Sequence, residues 1–108
     1  MRTKILNKLL ITIKKNKKKN PNISYTASLF QSGVSGCKKK FLEEVKELLS
    51  SLKKNKKNII HESADVFYHY LVLLERANVK FSEVLNELRS RSKISGIEEK
   101  LTRKKNVR

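Results

Sequence analysis

The sequence predicts an all-α domain of four to five helices built around an antiparallel helical hairpin, and three observations carry that expectation. Apolar residues recur at three- and four-residue spacing in each segment of the chain. Pro21, Gly33 and a lysine- and asparagine-rich stretch at residues 53–58 divide those segments at short intervals. Half of the ten acidic residues, Glu43, Glu44, Glu47, Glu62 and Asp65, fall on two successive segments, although the formal net charge is +16.

The first helix is expected over residues 3–18, where Ile5, Leu9 and Ile13, with Leu6 and Leu10 beside them, form one apolar stripe. Pro21 and its flanking asparagines stop it, because proline lacks an amide proton and cannot continue a helix. The lysines at 14–19 invite a nucleic-acid contact, yet cations at a helix C-terminus also complement its negative pole and stay solvated. Residues 24–33, SYTASLFQSG, make a short helix capped by Ser24 or Thr26, burying Leu29 and Phe30 and closed by Gly33 in a left-handed turn. Its hydroxyls and free amides are also a place to receive a phosphate.

A helix entered near residue 35 or 38 and running to 52 buries Phe41, Val45, Leu48, Leu49 and Leu52. It leaves Lys40, Glu44 and Glu47 as a separate stripe, and Glu43 stands four before Glu47, so like charges crowd one side and repel. The turn SLKKNKKN leads into a helix over residues 57–77 that buries Ile59, Ile60, Ala64, Phe67, Leu71 and Leu74 and, as the most apolar segment, is the expected centre. On it Glu62 and Asp65 are three apart, with His69 continuing their stripe. Folding the two helices back on one another brings the acidic pairs face to face. Clustered carboxylates call for a counter-charge, which a hard divalent cation with oxygen ligands, magnesium above all, supplies. A single acidic residue on a polar helix face is ordinarily just solvated. The joint EExxE and ExxD pattern in a basic chain is what points to a site.

Lys40 either pairs with Glu44 at the surface or holds a substrate phosphate. His69 orients Asp65, touches substrate or sits in the core. A turn at Asn78 or Val79 precedes a last short helix, capped by Ser82 with Val84, Leu85 and Leu88 inward, and residues 93–108 read as a partly disordered tail.

With 108 residues the chain makes one domain, and a helical hairpin of this size needs a second copy to bury its apolar faces, so a homo-oligomer is expected. Of the 26 basic residues 20 are Lys and six Arg. Nucleic-acid readers favour Arg for bidentate contacts, so no specific nucleic-acid partner is expected, while a nucleotide would be steered in by the positive field. Cys37 stands alone, which excludes an internal disulfide and fits a half-buried small apolar residue in a reducing, cytoplasmic compartment. No apolar run exceeds five residues, so no membrane span is expected, and the N-terminal stretch reads as a helix rather than a signal peptide. There is no glycine-rich phosphate loop, CxxC, HExxH or nucleophile with an obvious base, so nothing supports a covalent mechanism.

Five stretches taken together resemble the phosphoribosyl-ATP pyrophosphohydrolases of histidine biosynthesis: SYTASLFQSG at 24–33, KKFLEEVKE at 39–47, HESADVFYHYLVLL at 61–74, FSEVLNELRSR at 81–91 and SGIEEK at 95–100. The EExxE and ExxD pair alone is similar to the wider MazG-like all-α nucleoside triphosphate pyrophosphatases and to dimeric dUTPases, and the flanks narrow the choice. The resemblance implies a MazG-like chain that dimerises into a helical bundle and, with Mg2+, hydrolyses phosphoribosyl-ATP to phosphoribosyl-AMP and pyrophosphate. By the same resemblance Glu44, Glu47, Glu62 and Asp65 match the metal ligands. Glu43 matches either a fifth ligand or the group that orients water, and the base is Glu43 or Glu47. Tyr25, Thr26, Lys40 and His69 match positions that contact or shape the substrate site. Leu42 stands where the family usually has a glycine and Cys37 where it has an aliphatic residue; neither change removes a ligand. A house-cleaning triphosphate pyrophosphatase is the alternative, but it would not need SYT or SGIEEK. A basic nucleic-acid binder would leave the carboxylates unexplained, and an inactive dimeric scaffold would not need them intact.

Overall fold

The computed structural model describes residues 3–92, which fold into five helices and contain no strand: α1 (Thr3–Asn16), α2 (Tyr25–Gln31), α3 (Gly33–Ser51), α4 (Lys56–Arg76) and α5 (Phe81–Arg91). The fold is all-α as expected, and the expected tail with its SGIEEK stretch lies outside the described residues. No described helix is long and apolar enough to cross a membrane.

Local chemistry sets the boundaries. Ser24 caps α2: its hydroxyl accepts the Ala27 N–H at 3.1 Å and donates to the Asn16 carbonyl at 3.1 Å, tying the helix to the end of α1. Thr26, the other candidate cap, is instead buried inside the helix. Gly33, at φ +75°, turns the chain from α2 straight into α3, a backbone conformation that costs other residues strain. Asn55 caps α4 by accepting the Asn58 N–H at 2.9 Å. Asn78 takes φ 63° at the exit from α4, a left-handed position that asparagine tolerates. The last helix begins two residues earlier than a Ser82 cap implies, with Lys80 as its N-cap residue, and the Glu83 carboxylate accepts the Lys80 backbone N–H at 2.8 Å.

The α3–α4 hairpin is the frame, and α1 and α2 pack across one end of it. There Ile13, Leu29, Cys37, Leu71 and Val72 form the buried cluster, with Leu6, Leu9, Leu10, Phe30, Tyr68 and Phe81 against it. The packed stripe of α1 is therefore Leu6, Leu9, Leu10 and Ile13. Ile5, expected inside, is exposed because it sits at the edge of that stripe. Arg76 at the end of α4 donates from Nε to the Phe30 carbonyl at 2.9 Å, and its guanidinium and the Lys17 ammonium lie 5.5 and 5.0 Å from the centre of the Phe30 ring. Lys17 also reaches Glu75 at 2.7 Å, closing α1 onto α4.

The other end of the hairpin is bare. Leu49, Leu52, Ile60, Ala64 and Phe67, all expected in the core, are exposed, and Leu88 of α5 is too. Periodicity identifies an apolar face here; among the described residues Phe81 of α5 reaches its edge, meeting Phe67 edge-on at 6.0 Å between ring centroids, while Leu49, Leu52 and Ile60 stay exposed.

Candidate active site

Three of the five hairpin carboxylates converge. Glu44 and Glu47 from α3 and Glu62 from α4 each place an oxygen so that all three lie within 4.8 Å of one another. Spacing explains the α3 pair, since three residues make just under one turn, and the antiparallel fold brings α4 across to them. Glu44 is buried, Glu62 half-buried and Glu47 exposed. Oε1 of Glu62 is buried and has no hydrogen-bond partner among the described residues. A buried carboxylate oxygen left in that condition is costly, by roughly 1–3 kcal/mol or more for a charged group.

Asp65 and Glu43, the other two, are not in this cluster. Asp65 is one turn beyond Glu62 but directs Oδ2 to Nε2 of His61 at 3.5 Å. Glu43 points along the outer side of α3, with Oε1 3.5 Å from the Lys40 ammonium, which lies also 3.6 Å from Oε2 of Glu44. Lys40 thus spans the cluster and its edge, so both sequence readings of it, surface pair and phosphate contact, use one position. Its pKa is held above the ordinary lysine value, first by the neighbouring Tyr25 oxygen and then by the hydrogen bond to Glu43 and the charges of Glu43 and Glu44.

The remaining candidates form a second group against the first. Tyr25 donates from its hydroxyl to Nε2 of buried His69 at 2.9 Å, and Nδ1 of His69 lies 2.8 Å from the Asp65 backbone carbonyl. A carbonyl only accepts, so Nδ1 carries the proton and, in the neutral ring, Nε2 accepts from Tyr25. His69 therefore positions Tyr25 rather than the Asp65 carboxylate. Burial pushes the Tyr25 phenol up, against the opposing charge of Lys40. Buried Thr26 shares a short hydrogen bond with the Tyr68 hydroxyl. The Tyr68 ring stacks on Tyr25 at 6.3 Å between centroids and meets His69 edge-on at 5.1 Å.

Neither Tyr68 nor Arg76 is singled out in the sequence reading above, although each carries a signal. Tyr68 falls three residues after Asp65, on the same stripe as the acids, and Arg76 is the only arginine between Arg2 and Arg89 in a chain that otherwise uses lysine. Leu42, where the resembled family usually has a glycine, is 53% exposed, so its side chain needs no room inside the hairpin. Cys37 is fully buried where a half-buried residue was expected, its thiol donating to the Leu29 carbonyl at 3.2 Å and pushed up in pKa by burial.

The sequence matches the family model for phosphoribosyl-ATP pyrophosphohydrolase over residues 6–92. It is 40% identical over 99 residues to the phosphoribosyl-ATP pyrophosphatase of Rhodobacter capsulatus, covering 91% of this chain and 96% of that one. To the enzyme of the same name from Nitrosospira multiformis it is 43% identical over 101 residues, 93% of this chain and 84% of the relative. It is also 48% identical over 101 residues to the histidine biosynthesis bifunctional protein HisIE of Helicobacter hepaticus, of which it spans only 44%. The matched region takes in both helices of the carboxylate hairpin and the Tyr25–His69 group beside it, and on that basis the chain belongs to the phosphoribosyl-ATP pyrophosphohydrolase family.

Proposed function

We propose that this chain hydrolyses phosphoribosyl-ATP to phosphoribosyl-AMP and pyrophosphate, in histidine biosynthesis and in the cytoplasm, as a Mg2+-dependent homodimer. The observation that carries the reading is the Glu44, Glu47 and Glu62 cluster with its buried, unpartnered Glu62 oxygen. A chain with 26 basic residues has every means to neutralise those carboxylates with its own cations. Yet Lys40, at Glu44, is the only lysine or arginine of the described residues in an ion pair with any of the three. All-oxygen, acidic ligands suit a hard divalent cation. Glu44, Glu47 and Glu62 would hold it, with Asp65 as the fourth ligand. When bound, such an ion supplies neutralising charge for phosphate oxygens and acidifies a bound water.

The protein's own groups do the rest. Lys40, already poised at the edge of the cluster, binds a phosphate of the substrate as a point charge. Glu43 lies outside the cluster and is exposed, so its carboxylate is available to take the proton of the attacking water; Glu47 is the second candidate for that role. Water adds across the anhydride between the α and β phosphates, and pyrophosphate leaves. Tyr25 and Thr26, fixed by His69 and Tyr68, line the substrate side of the site. The bare end of the hairpin, with Leu49, Leu52, Ile60 and Phe67 exposed, is the surface for the second copy.

The test is pyrophosphate release from phosphoribosyl-ATP by purified protein, with and without Mg2+, beside dATP and dUTP. Turnover of phosphoribosyl-ATP that needs Mg2+ and is abolished in Glu44→Gln is the expected result. Preferential turnover of dATP or dUTP would instead make the protein a house-cleaning pyrophosphatase, and no turnover would refute both.

A further inference from the structure

The carboxylate cluster has a cleft on each side of it along α3. Towards the N-terminus of that helix, an open cleft of about 300 Å³ is lined by Leu29, Gly36, Lys39 and Lys40 among others. Towards its C-terminus, a cleft of about 340 Å³ is lined by Lys46, Glu47, Ser50, Lys54 and Glu62. The second cleft contains two of the three cluster carboxylates, so whatever occupies it touches the reacting centre directly. Its other three residues are two lysines and a serine. Lys46 and Ser50 are one turn apart on α3, and Lys54 follows one turn later where the chain leaves the helix, so the three form one stripe. Neither lysine has an ion-pair partner among the described residues, and both are exposed. Two unpaired ammonium groups at the rim of a carboxylate cluster are placed to take a small, highly charged anion that also touches the cluster.

We propose that Lys46, Ser50 and Lys54 form the subsite for the leaving pyrophosphate, which gives the substrate a fixed direction along α3, polyphosphate towards the α3–α4 turn and nucleoside towards α2. The proposal rests on the activity above for its direction, and on the cleft alone for its ligand. Charge is the reason for the direction. Cleavage of the anhydride leaves an additional negative charge on pyrophosphate, and cations placed on the departing side stabilise that charge as it develops. The opposite cleft also has two lysines, but one of them, Lys40, is already paired with Glu43 and Glu44, and its wall includes the apolar Leu29, which suits a base and sugars better than a second polyphosphate.

The experiment is calorimetric titration of the full chain with inorganic pyrophosphate, with and without Mg2+, in the parent, Lys46→Gln, Lys54→Gln, Lys39→Gln and Lys15→Gln proteins. Lys15 is an exposed α1 residue and reports on bulk attraction, since each variant removes the same single charge. Lys46→Gln and Lys54→Gln are each expected to weaken pyrophosphate binding about tenfold, while Lys39→Gln and Lys15→Gln leave it within about twofold. In turnover, Lys54→Gln should make pyrophosphate a poorer product inhibitor without changing inhibition by AMP. Equal weakening in all four variants, unchanged binding in Lys46→Gln and Lys54→Gln, or no pyrophosphate binding by the parent would each overturn the subsite. Lysine-dependent pyrophosphate binding by a parent that does not hydrolyse phosphoribosyl-ATP would leave the subsite standing and refute the activity.

Discussion

The two ends of the α3–α4 hairpin are built from similar residues and are finished differently. At the end where α4 stops, Leu71 and Val72 are shut beneath α1 and α2, and Arg76 and Glu75 stitch those helices down. At the end where α3 meets α4, Leu49 is 58% and Ile60 59% exposed, and the residues that are buried there include Ser51 as well as Glu44. The first end is a small hydrophobic core. The second places polar and charged groups inside and apolar groups outside, which inverts the usual arrangement and fits the contact surface proposed above. The hairpin thus has two unlike ends: the buried hydrophobic cluster at one, and the carboxylate cluster with the proposed contact surface towards the other.

The hardest test of that contrast is Leu71→Ala. A leucine 2% exposed at the centre of so small a cluster is expected to cost about 2–5 kcal/mol in urea denaturation, at any protein concentration. Ile60→Lys addresses the opposite end. If this face holds a second copy, the parent's denaturation midpoint rises with protein concentration, and that dependence disappears in Ile60→Lys while the dilute midpoint hardly moves, since Ile60 is 59% exposed. A midpoint that does not depend on concentration in the parent would refute the proposed dimer. Glu62→Gln separates site from fold. Removing the charge of the unpartnered buried carboxylate should raise stability in the absence of Mg2+ by about 1 kcal/mol, while activity falls about a hundredfold or more. Parallel loss of both would mean that the cluster is structural.

The smallest expected effect concerns pH and belongs to the closed end. Burial raises the Cys37 thiol above its ordinary 9.0 and the Tyr25 phenol above 10.0. Below those values both groups are protonated in the folded and unfolded chains alike, so they make no difference. As pH rises past them the unfolded chain ionises first, and the folded state loses stability. A melting temperature flat from neutrality to about pH 9 and declining above it is expected, with a shallower decline in Cys37→Ala.

Much of this was legible in the residues themselves. The spacing of Glu44, Glu47 and Glu62 on successive helices fixes where their side chains can meet, because helical periodicity is a short-range rule that the fold did not override. The Ser24 cap and the Gly33 turn follow from equally local chemistry. What could not be read depends on rotamers and on covering layers. Asp65 sits at the expected place on α4 but directs its carboxylate to His61, and His69 bonds the Asp65 backbone rather than its side chain. Leu49, Leu52, Ile60 and Phe67 lie on an apolar face, yet a stripe of apolar residues does not state whether its cover is intramolecular. Tyr68, an aromatic residue in an apolar run, reads as packing, and only the approach of α2 reveals that its hydroxyl meets Thr26.

The packing of α3 on α4, neighbours in sequence joined by a four-residue turn, also has a kinetic consequence. Contacts between adjacent helices close short loops, so the chain belongs among the fast folders, in the microsecond-to-millisecond class. Where the hairpin closes before α1 docks on Leu71 and Val72, Glu44, Glu47 and Glu62 are brought together early. Mutual repulsion of those three carboxylates therefore acts during folding as well as in the native state. Ionic strength, which screens it, should set the pace of refolding more than it sets the final stability.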